Sequence, residues 1–244
     1  MKVKIGAIKE VSLIDVLFHP SFVIWFSGCN FRCPWCHNGP LVFGNGEFVN
    51  VDKIIERINN VKNFIDFVHI TGGEPTLQRD ALTHLFKEVK NLGLKTSLNT
   101  NGSNPEVIEK LIRKRILDHI AIDVKAPLNN DSYSKVTGVK FEVKKIENSL
   151  RACEALDFIE IRTTLVPGML SKEDVINIAS SLKDFFNDFY YVIQQFNPAE
   201  TVVEKKFSHM EATSYDDLIE FAKTVKNIGI KNVFIRSKFG VKSV

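Results

Sequence analysis

Seven short runs, most of them rich in apolar β-branched and aromatic residues, recur along this chain, and amphipathic stretches separate them. The runs cover residues 22–26, 67–71, 95–99, 119–124, 159–165, 191–196 and 232–236. Such alternation predicts repeated βα units around a parallel sheet, because parallel strands need a crossover between them. Six or seven units fit in 244 residues. We therefore predict an α/β fold, a partial (open) βα barrel of about six repeats, instead of a closed barrel of eight strands.

No stretch of the chain has the composition of a linker, so we expect one domain over residues 1–244. Within it we expect an N-terminal extension (1–20), a barrel core (21–200) and a final helix and strand (201–244). Asn104 before Pro105, Ser171 before three polar residues, and Ser214 with Asp217 predict helix starts. In parallel α/β folds chemistry lies at the carboxyl ends of the strands, so residues just after each strand are the candidates.

Three of the four cysteines follow the first predicted strand at the spacing C-x3-C-x2-C: Cys29, Cys33 and Cys36. Three thiolates on one loop can hold a [4Fe-4S] cube and leave one iron without a protein ligand. A structural zinc site with His37 as fourth ligand is the alternative. Adjacent residues seldom bind one metal, which favours the cluster. Cys153 shares an apolar helix face and is interpreted as a core thiol.

A second loop, after the second predicted strand, reads Gly72-Gly73-Glu74-Pro75. Two glycines let a ligand approach the backbone closely, and Glu74 adds a carboxylate beside them. This combination suits a bound amino group. The histidines at 69, 84, 119 and 209 are interpreted as packed or surface residues.

Charge and hydropathy argue against several classes of partner. The net charge is +3 and the basic residues are spread over the chain, so we expect no nucleic-acid partner. The basic run 113–115 fits a solvated helix end. No apolar run reaches the length of a membrane span or a signal peptide, so we expect a cytoplasmic protein without a membrane partner.

Taken together, the cysteine spacing and the Gly-Gly-Glu-Pro loop resemble the radical S-adenosylmethionine superfamily. Over nearly its whole length the chain is similar to the activating enzymes of glycyl-radical enzymes, through residues 36–38, 98–102, 123–125, Arg162 and 166–168. Residues 12–15 and 28–38 most resemble the activating proteins of anaerobic ribonucleoside-triphosphate reductase.

This resemblance implies a [4Fe-4S] cluster and S-adenosyl-L-methionine as cofactors. In the family, the methionine amino and carboxylate groups chelate the open iron, an electron enters the sulfonium, and a 5'-deoxyadenosyl radical forms. That radical takes a hydrogen from a glycine of the partner, here expected to be anaerobic ribonucleotide reductase. A flavodoxin or ferredoxin is expected to supply the electron.

The resemblance also implies roles for individual residues. Four are expected to be catalytic: Cys29, Cys33, Cys36 and Arg162. Ten are expected to contact the cofactor: Trp35, His37, Gly72, Gly73, Glu74, Asn99, Asp123, Val124, Lys125 and Asn197. Gly73 and Glu74 are expected to hold the methionyl amino group.

Trp35 and Asn197 are expected near the adenine, and Asp123 and Lys125 near the carboxylate and ribose. Arg162 is expected to face the cofactor or the partner's peptide. Asp123 and Lys125 could instead simply pair with each other, since side chains two apart on a strand share a face.

Two other functions stay open at this point. One is a radical S-adenosylmethionine enzyme that acts on a small molecule, such as a modified-purine precursor. The other is a non-catalytic cluster or zinc protein. The chain also departs from formate-lyase activases, with Asn99 in place of Asp, Ala121 in place of a thioether residue, and no glycines in residues 15–20. Those departures leave a monovalent-cation site and the mode of partner recognition open.

Overall fold

A computed structural model describes all 244 residues of the protein. Its ten strands are β1 (Lys2–Val16), β2 (His19–Phe26), β3 (Glu47–Asn50), β4 (Phe67–Gly72), β5 (Lys95–Thr100), β6 (His119–Asp123), β7 (Ile159–Leu165), β8 (Tyr190–Gln195), β9 (Asn232–Ser237) and β10 (Gly240–Ser243). Its eight α-helices are α1 (Gly39–Val42), α2 (Val51–Val61), α3 (Arg79–Asn91), α4 (Pro105–Arg113), α5 (Asn130–Thr137), α6 (Lys144–Cys153), α7 (Lys172–Lys183) and α8 (Tyr215–Asn227). Three short 3₁₀ helices span Lys62–Phe64, Pro75–Gln78 and Lys205–His209.

All ten strands belong to one sheet, in the order β10-β9-β8-β7-β6-β5-β4-β2-β1-β3. The strands from β2 to β9, leaving out β3, pair in parallel and correspond to the seven predicted runs. The two end strands, β3 and β10, are not paired with each other, so the barrel is open. The predicted α/β class and partial barrel are thereby confirmed.

Three strands were not predicted, and all three run antiparallel to their neighbours: β1, β3 and β10. Most of β1 is exposed or half-buried, so it lacks the continuous apolar run of a strand covered on both faces. The other two have four residues each and no buried side chain. Sequence patterns that identify buried strands therefore could not find them.

The helices cover the outer face of the sheet with their apolar sides. Ser171 and Asp174 form a reciprocal capping box at the start of α7, and Ser214 accepts a hydrogen bond from the backbone N–H of Asp217 at the start of α8. Pro105 opens α4 as predicted. Cys153 is fully buried at the end of α6, which confirms its interpretation as a core thiol.

The open side of the barrel is covered by the tip of the β1–β2 hairpin. Phe18 in this tip has a φ of 68° and lies with its ring centroid 5.6 Å from the rings of both Tyr190 and Phe234. Nearby, the carbonyl of Asp15 accepts a hydrogen bond of 2.7 Å from Nη2 of Arg162 on β7. Since β2 and β9 stand six places apart in the sheet, these contacts show that the sheet curls until the hairpin tip bridges its two sides.

Inside the curled sheet, the lumen has an aromatic floor and a polar middle. Rings of Phe18, Phe67, Phe158 and Tyr190 pack edge to face near the amino ends of the strands. Above them lies a chain of polar side chains from five strands, His69, Ser97, His119, Glu160, Arg162 and Arg236. None of the helices has the length and hydropathy of a membrane span.

Candidate active site

The three clustered cysteines lie on the loop that leaves β2, and all three line one cavity of about 420 Å³ at the carboxyl ends of the strands. Hydrogen bonds to two helices hold the backbone of this loop. Gly28 N–H donates to the carbonyl of Leu41 in α1 at 2.8 Å, and Arg32 N–H donates to the carbonyl of Thr137 in α5 at 2.8 Å. All three thiols are free. They therefore face the cavity as three donors on one loop.

Burial controls the protonation of these thiols. It raises the pKa of Cys29 to about 11 and that of Cys33 to about 12, and it raises the pKa of Cys36 as well. The protein alone thus keeps them protonated, and a cationic centre is needed to bind them as thiolates.

The donor set fits a cluster better than a single ion. No three His, Cys, Asp or Glu side chains of the chain converge around a position for one metal ion. A mononuclear zinc site needs such convergence, whereas a [4Fe-4S] cube meets each thiolate through a different iron. The arrangement therefore favours the predicted cluster over the zinc alternative.

The loop after β4 packs directly against the cysteine loop. Gly73 N–H donates to Phe26 at 2.8 Å and Glu74 N–H donates to Gly28 at 2.7 Å. A Cβ on Gly73 would overlap the carbonyl oxygen of Gly28 and come within 2.6 Å of its carbon. Close approach of two backbones thus requires glycine here, and it leaves Gly72 and Gly73 lining the cavity beside the thiols.

Glu74 differs from its expectation, because its side chain is fully buried and does not line the cavity. The carboxylate accepts hydrogen bonds from the backbone of Thr76 at 3.0 Å, Thr100 Oγ1 at 2.8 Å and the backbone of Asn101 at 2.7 Å, and another from the Thr76 hydroxyl. With these partners it joins the loops after β4 and β5. A direct contact of its carboxylate with a methionyl amino group is not what this geometry supports.

Two orphaned polar atoms mark the cavity as a ligand site. Asn99 donates to Thr71 Oγ1 at 3.0 Å, but its Oδ1 is buried and has no partner. Trp35 Nε1 is likewise buried without a partner. Both residues line the cavity. Because buried polar atoms in proteins are normally hydrogen-bonded, they fit a bound molecule that carries polar groups.

Asp123 and Lys125 lie at the end of β6 and line the same cavity. They pair with each other at 3.1 Å, and the ammonium of Lys125 also stands 5.5 Å from the centroid of Trp35. Burial by itself would lower the pKa of Lys125, but the Asp123 carboxylate and the nearby cysteines hold it well above its usual range. The pair therefore presents a fixed cation and anion to the cavity.

Val124, between them, faces away from the cavity. It is fully buried, and its N–H donates to the carbonyl of Arg162 at 2.9 Å. The expected cofactor contact is therefore not made by its side chain. His37 and Asn197 line the cavity. Burial lowers the pKa of His37 despite a hydrogen bond with the backbone of Asn197.

Arg162 also differs from its expectation. It does not line the cavity; its Nε donates to Glu160 at 2.6 Å and its Nη2 donates to the carbonyl of Asp15. Its side chain is 5% exposed. A direct contact with the cofactor or with a peptide is not supported, and Arg162 acts instead as the tie between β7 and the hairpin tip.

Sequence reasoning missed several side chains that line the cavity: Ile14, Asn38, Asn101, Thr164, Gln194, Gln195, Arg236, Ser237 and Lys238. Asn101 lies beside the cysteine loop, with Nδ2 3.9 Å from Cys29 Sγ and 3.0 Å from Asn30 Oδ1. The signal that could have found Gln194 and Arg236 is their place at the carboxyl ends of predicted strands.

Comparisons with known proteins agree with this geometry. The sequence profile of the Radical SAM superfamily matches residues 23–184. A Methanocaldococcus jannaschii protein named, provisionally, a glycyl-radical enzyme activating enzyme is 35% identical over 242 residues, which cover 97% of each chain. The pyruvate formate-lyase-activating enzyme of Clostridium pasteurianum is 26% identical over 75% of this chain and 78% of its own.

Solved structures share the fold at lower identity. A structure of TYW1 with a lysine-pyruvate adduct has a TM-score of 0.63 at 19% identity, covering 88% of this chain and 75% of its own. Streptococcus suis SuiB bound to S-adenosylmethionine has a TM-score of 0.59 at 16% identity, covering 88% of this chain and 51% of its own. At this identity the likeness extends to the fold alone.

Proposed function

Since this chain belongs to the radical S-adenosylmethionine superfamily, we propose that it activates anaerobic ribonucleotide reductase by installing a glycyl radical on it. Its class is that of the glycyl-radical enzyme activating enzymes, which use a [4Fe-4S] cluster and S-adenosyl-L-methionine. One observation carries the proposal: the three free cysteines line a single cavity together with the backbone of Gly72 and Gly73.

Cys29, Cys33 and Cys36 are the residues that would hold the cluster, and three thiolates would leave one of its four irons without a protein ligand. When bound, the cluster supplies the electron that cleaves S-adenosylmethionine reductively and so provides a radical able to take hydrogen from a glycine. Cys33 is buried and Cys29 and Cys36 are half-buried, so the loop shields the sulfurs only in part.

The other lining residues of this half of the cavity would bind and orient S-adenosylmethionine. The free Oδ1 of Asn99 is an acceptor that suits its amino group, with the Gly73 backbone beside it. The Lys125 ammonium is the cation available to a carboxylate, and Asp123 can accept from ribose hydroxyls. The free Nε1 of Trp35, with His37 and Asn197, suits the nucleobase. Glu74 does not contact the cofactor in this arrangement. Its carboxylate accepts from the backbone N–H of Asn101 and so holds a lining residue of the cavity in position.

The identity of the partner rests on the resemblance of residues 12–15 and 28–38 to activating proteins of anaerobic ribonucleoside-triphosphate reductase. A flavodoxin or ferredoxin is the proposed electron donor. We also propose that residues 1–244 act as one domain, a proposal supported by the single sheet that runs from β3 to β10.

The class is tested by anaerobic reconstitution with iron and sulfide, followed by electron paramagnetic resonance of the dithionite-reduced protein. We expect a reduced [4Fe-4S] signal that changes shape when S-adenosylmethionine is added, together with formation of 5'-deoxyadenosine. Both should be lost in Cys33→Ala and kept in Cys153→Ala, the matched variant at a buried thiol outside the site. An unchanged signal without 5'-deoxyadenosine from the unaltered protein would overturn the proposal.

The partner is tested by incubating the reconstituted protein with anaerobic ribonucleotide reductase and, separately, with pyruvate formate-lyase. We expect a glycyl-radical signal on the reductase and none on the lyase. A signal on the lyase alone would assign a different partner within the same class.

A further inference from the structure

The side of the cavity opposite the cysteines is a wall built by β1, β7, β8, β9 and the β9–β10 turn. We call it the far wall and define it by six lining residues, Ile14, Thr164, Gln194, Arg236, Ser237 and Lys238. None of them has a role in holding the cluster or S-adenosylmethionine as argued above. The far wall therefore remains for the substrate.

Arg236 is the central group of the far wall, and most of its hydrogen-bonding capacity is unused. Nη1 donates to Gln194 Oε1 at 3.1 Å and Nη2 donates to Glu160 Oε1 at 3.2 Å. A guanidinium carries five N–H donors, so three remain without a partner in the protein. Its side chain is 18% exposed, and the two contacts fix the orientation of the fork. Such a fixed fork with free donors matches a carboxylate.

The charge around Arg236 is also incompletely balanced. Oε1 of Glu160 accepts from both Arg162 and Arg236, and no other carboxylate contacts either guanidinium. Asp123 is engaged by Lys125, and Asp15 by the hydroxyl of Ser12. Lys238, next along the wall, has no carboxylate partner at all, and its ammonium stands over the ring of Phe239 at 5.1 Å. Two cations on one wall thus lack an anion of their own.

The rim beside these cations is apolar and exposed. Ile14 at the hairpin is 55% exposed, and Phe239 at the β9–β10 turn is 75% exposed. Neighbouring Leu13 is also 75% exposed. Large apolar side chains at the mouth of a binding cavity suit coverage by a polypeptide more than by a small polar solute. The far wall therefore combines a carboxylate site with a surface for the flanking residues of a peptide.

We infer that the far wall binds an acidic side chain of the partner polypeptide, close in sequence to the glycine that loses hydrogen, with Arg236 as the residue that recognises it. This inference rests on the proposed function. It goes further by naming an acidic residue as the feature that distinguishes the segment this enzyme accepts. Thr164 and Gln194 position Arg236 and offer hydrogen bonds to the peptide backbone.

The test uses the reconstituted protein with S-adenosylmethionine and fluorescently labelled nonapeptides centred on glycine. Each flanking position carries Glu in one peptide and Gln in its matched counterpart, and affinity is read from fluorescence anisotropy. We expect one Glu peptide to bind about tenfold more tightly than its Gln counterpart, as a charge-assisted hydrogen bond allows. The preference should fall to about one in Arg236→Gln, which keeps donors but no charge, and persist in Arg113→Gln, an exposed arginine on α4.

Lys238→Gln provides a second variant at an exposed position, should Arg236→Gln fold poorly. We expect it to reduce the preference about twofold. Equal affinity for every Glu and Gln pair in the unaltered protein would overturn the inference, and so would an undiminished preference in folded Arg236→Gln or in Lys238→Gln. Equal or tighter binding of free acetate would also overturn it, because the peptide flanks would then contribute nothing. Formation of 5'-deoxyadenosine by the same preparation tests the proposed function separately. If it occurs without a Glu preference, only the inference about the far wall fails.

Discussion

Some side chains with the chemistry of a ligand-binding group hold loops of this site together instead. Glu74 has the chemistry of a ligand for an amino group, yet its carboxylate is used entirely by Thr76, Thr100 and Asn101. Burial raises its pKa in spite of these hydrogen bonds. Glu74 therefore holds the cysteine loop and the loop after β5 in place. Burying its carboxyl group costs desolvation free energy, which these hydrogen bonds offset.

We expect Glu74→Gln to destabilise the protein by about 1–3 kcal/mol, because the amide has one acceptor oxygen where four donors converge. Denaturant unfolding of the metal-free protein measures this. Glu109→Gln, at an exposed position of α4 with no partner, should change the stability by less than about 0.5 kcal/mol. Equal stability of the two variants would show that the Glu74 hydrogen bonds contribute nothing.

Gly73→Ala tests the close approach of the two loops. The added Cβ meets the carbonyl of Gly28, so we expect the cysteine loop to be displaced and the reconstituted protein to lose most of its iron or its response to S-adenosylmethionine. Iron content and electron paramagnetic resonance report both.

Gly93→Ala is the control for this glycine, since Gly93 has a φ of 79° but no neighbour within 4 Å of an added Cβ. It should cost about 1 kcal/mol in stability and leave the cluster unchanged. A fully loaded and responsive Gly73→Ala protein would contradict the packing argument.

Among the elements, the strands buried on both faces could be predicted and the exposed ones could not. Runs such as 22–26 are apolar without interruption, whereas β1 alternates and bulges along a half-exposed face. For the site, the cysteine and glycine loops were predicted because their chemistry is local in sequence. The far wall was not, because Arg236 and Ile14 meet only after the sheet has curled.

Substitutions of Phe18 test whether the tip of the β1–β2 hairpin stabilises the open side of the barrel. Phe18→Ala removes two edge-to-face contacts, worth about 0.5–1.5 kcal/mol each, and keeps a side chain at positive φ. Phe18→Gly removes the same contacts but relieves the backbone, so it should be about 1 kcal/mol more stable than Phe18→Ala. Thermal unfolding distinguishes them.

Phe64→Ala is the matched control, an exposed phenylalanine without an aromatic neighbour, and it should have little effect. If Phe18→Ala proved as harmless as Phe64→Ala, the tip would not be what covers the open side of the barrel.

For the whole molecule, the polar lumen makes stability depend on pH. Burial lowers the pKa of His69 and His119, so the folded protein keeps them neutral while the unfolded chain takes up protons below 6.5. Burial alone would raise the pKa of Glu160, but Arg162, His119 and Arg236 hold it well below its usual range. That contribution is present above pH 4.5 and is lost as the pH falls below it.

We therefore expect the free energy of unfolding of the metal-free protein to fall below pH 6.5, by about 1.4 kcal/mol per pH unit for each of these histidines, and more steeply below pH 4.5. His69→Gln should remove one such contribution from the slope. His209→Gln, at an exposed position, should not. Denaturant unfolding across the pH range measures the slopes, and an unaltered slope in His69→Gln would refute the assignment.

The contact of Phe18 with Phe234 has a consequence for biosynthesis. From β5 to β9 each strand pairs with the one made just before it, so the sheet can grow in the order of translation. The hairpin tip, made first, contacts Arg162 on β7, Tyr190 on β8 and Phe234 on β9, so its contacts are complete only when β9 has left the ribosome. We therefore expect the open side of the barrel to close late in folding, with the lumen and the cysteine loop open to the solution until then.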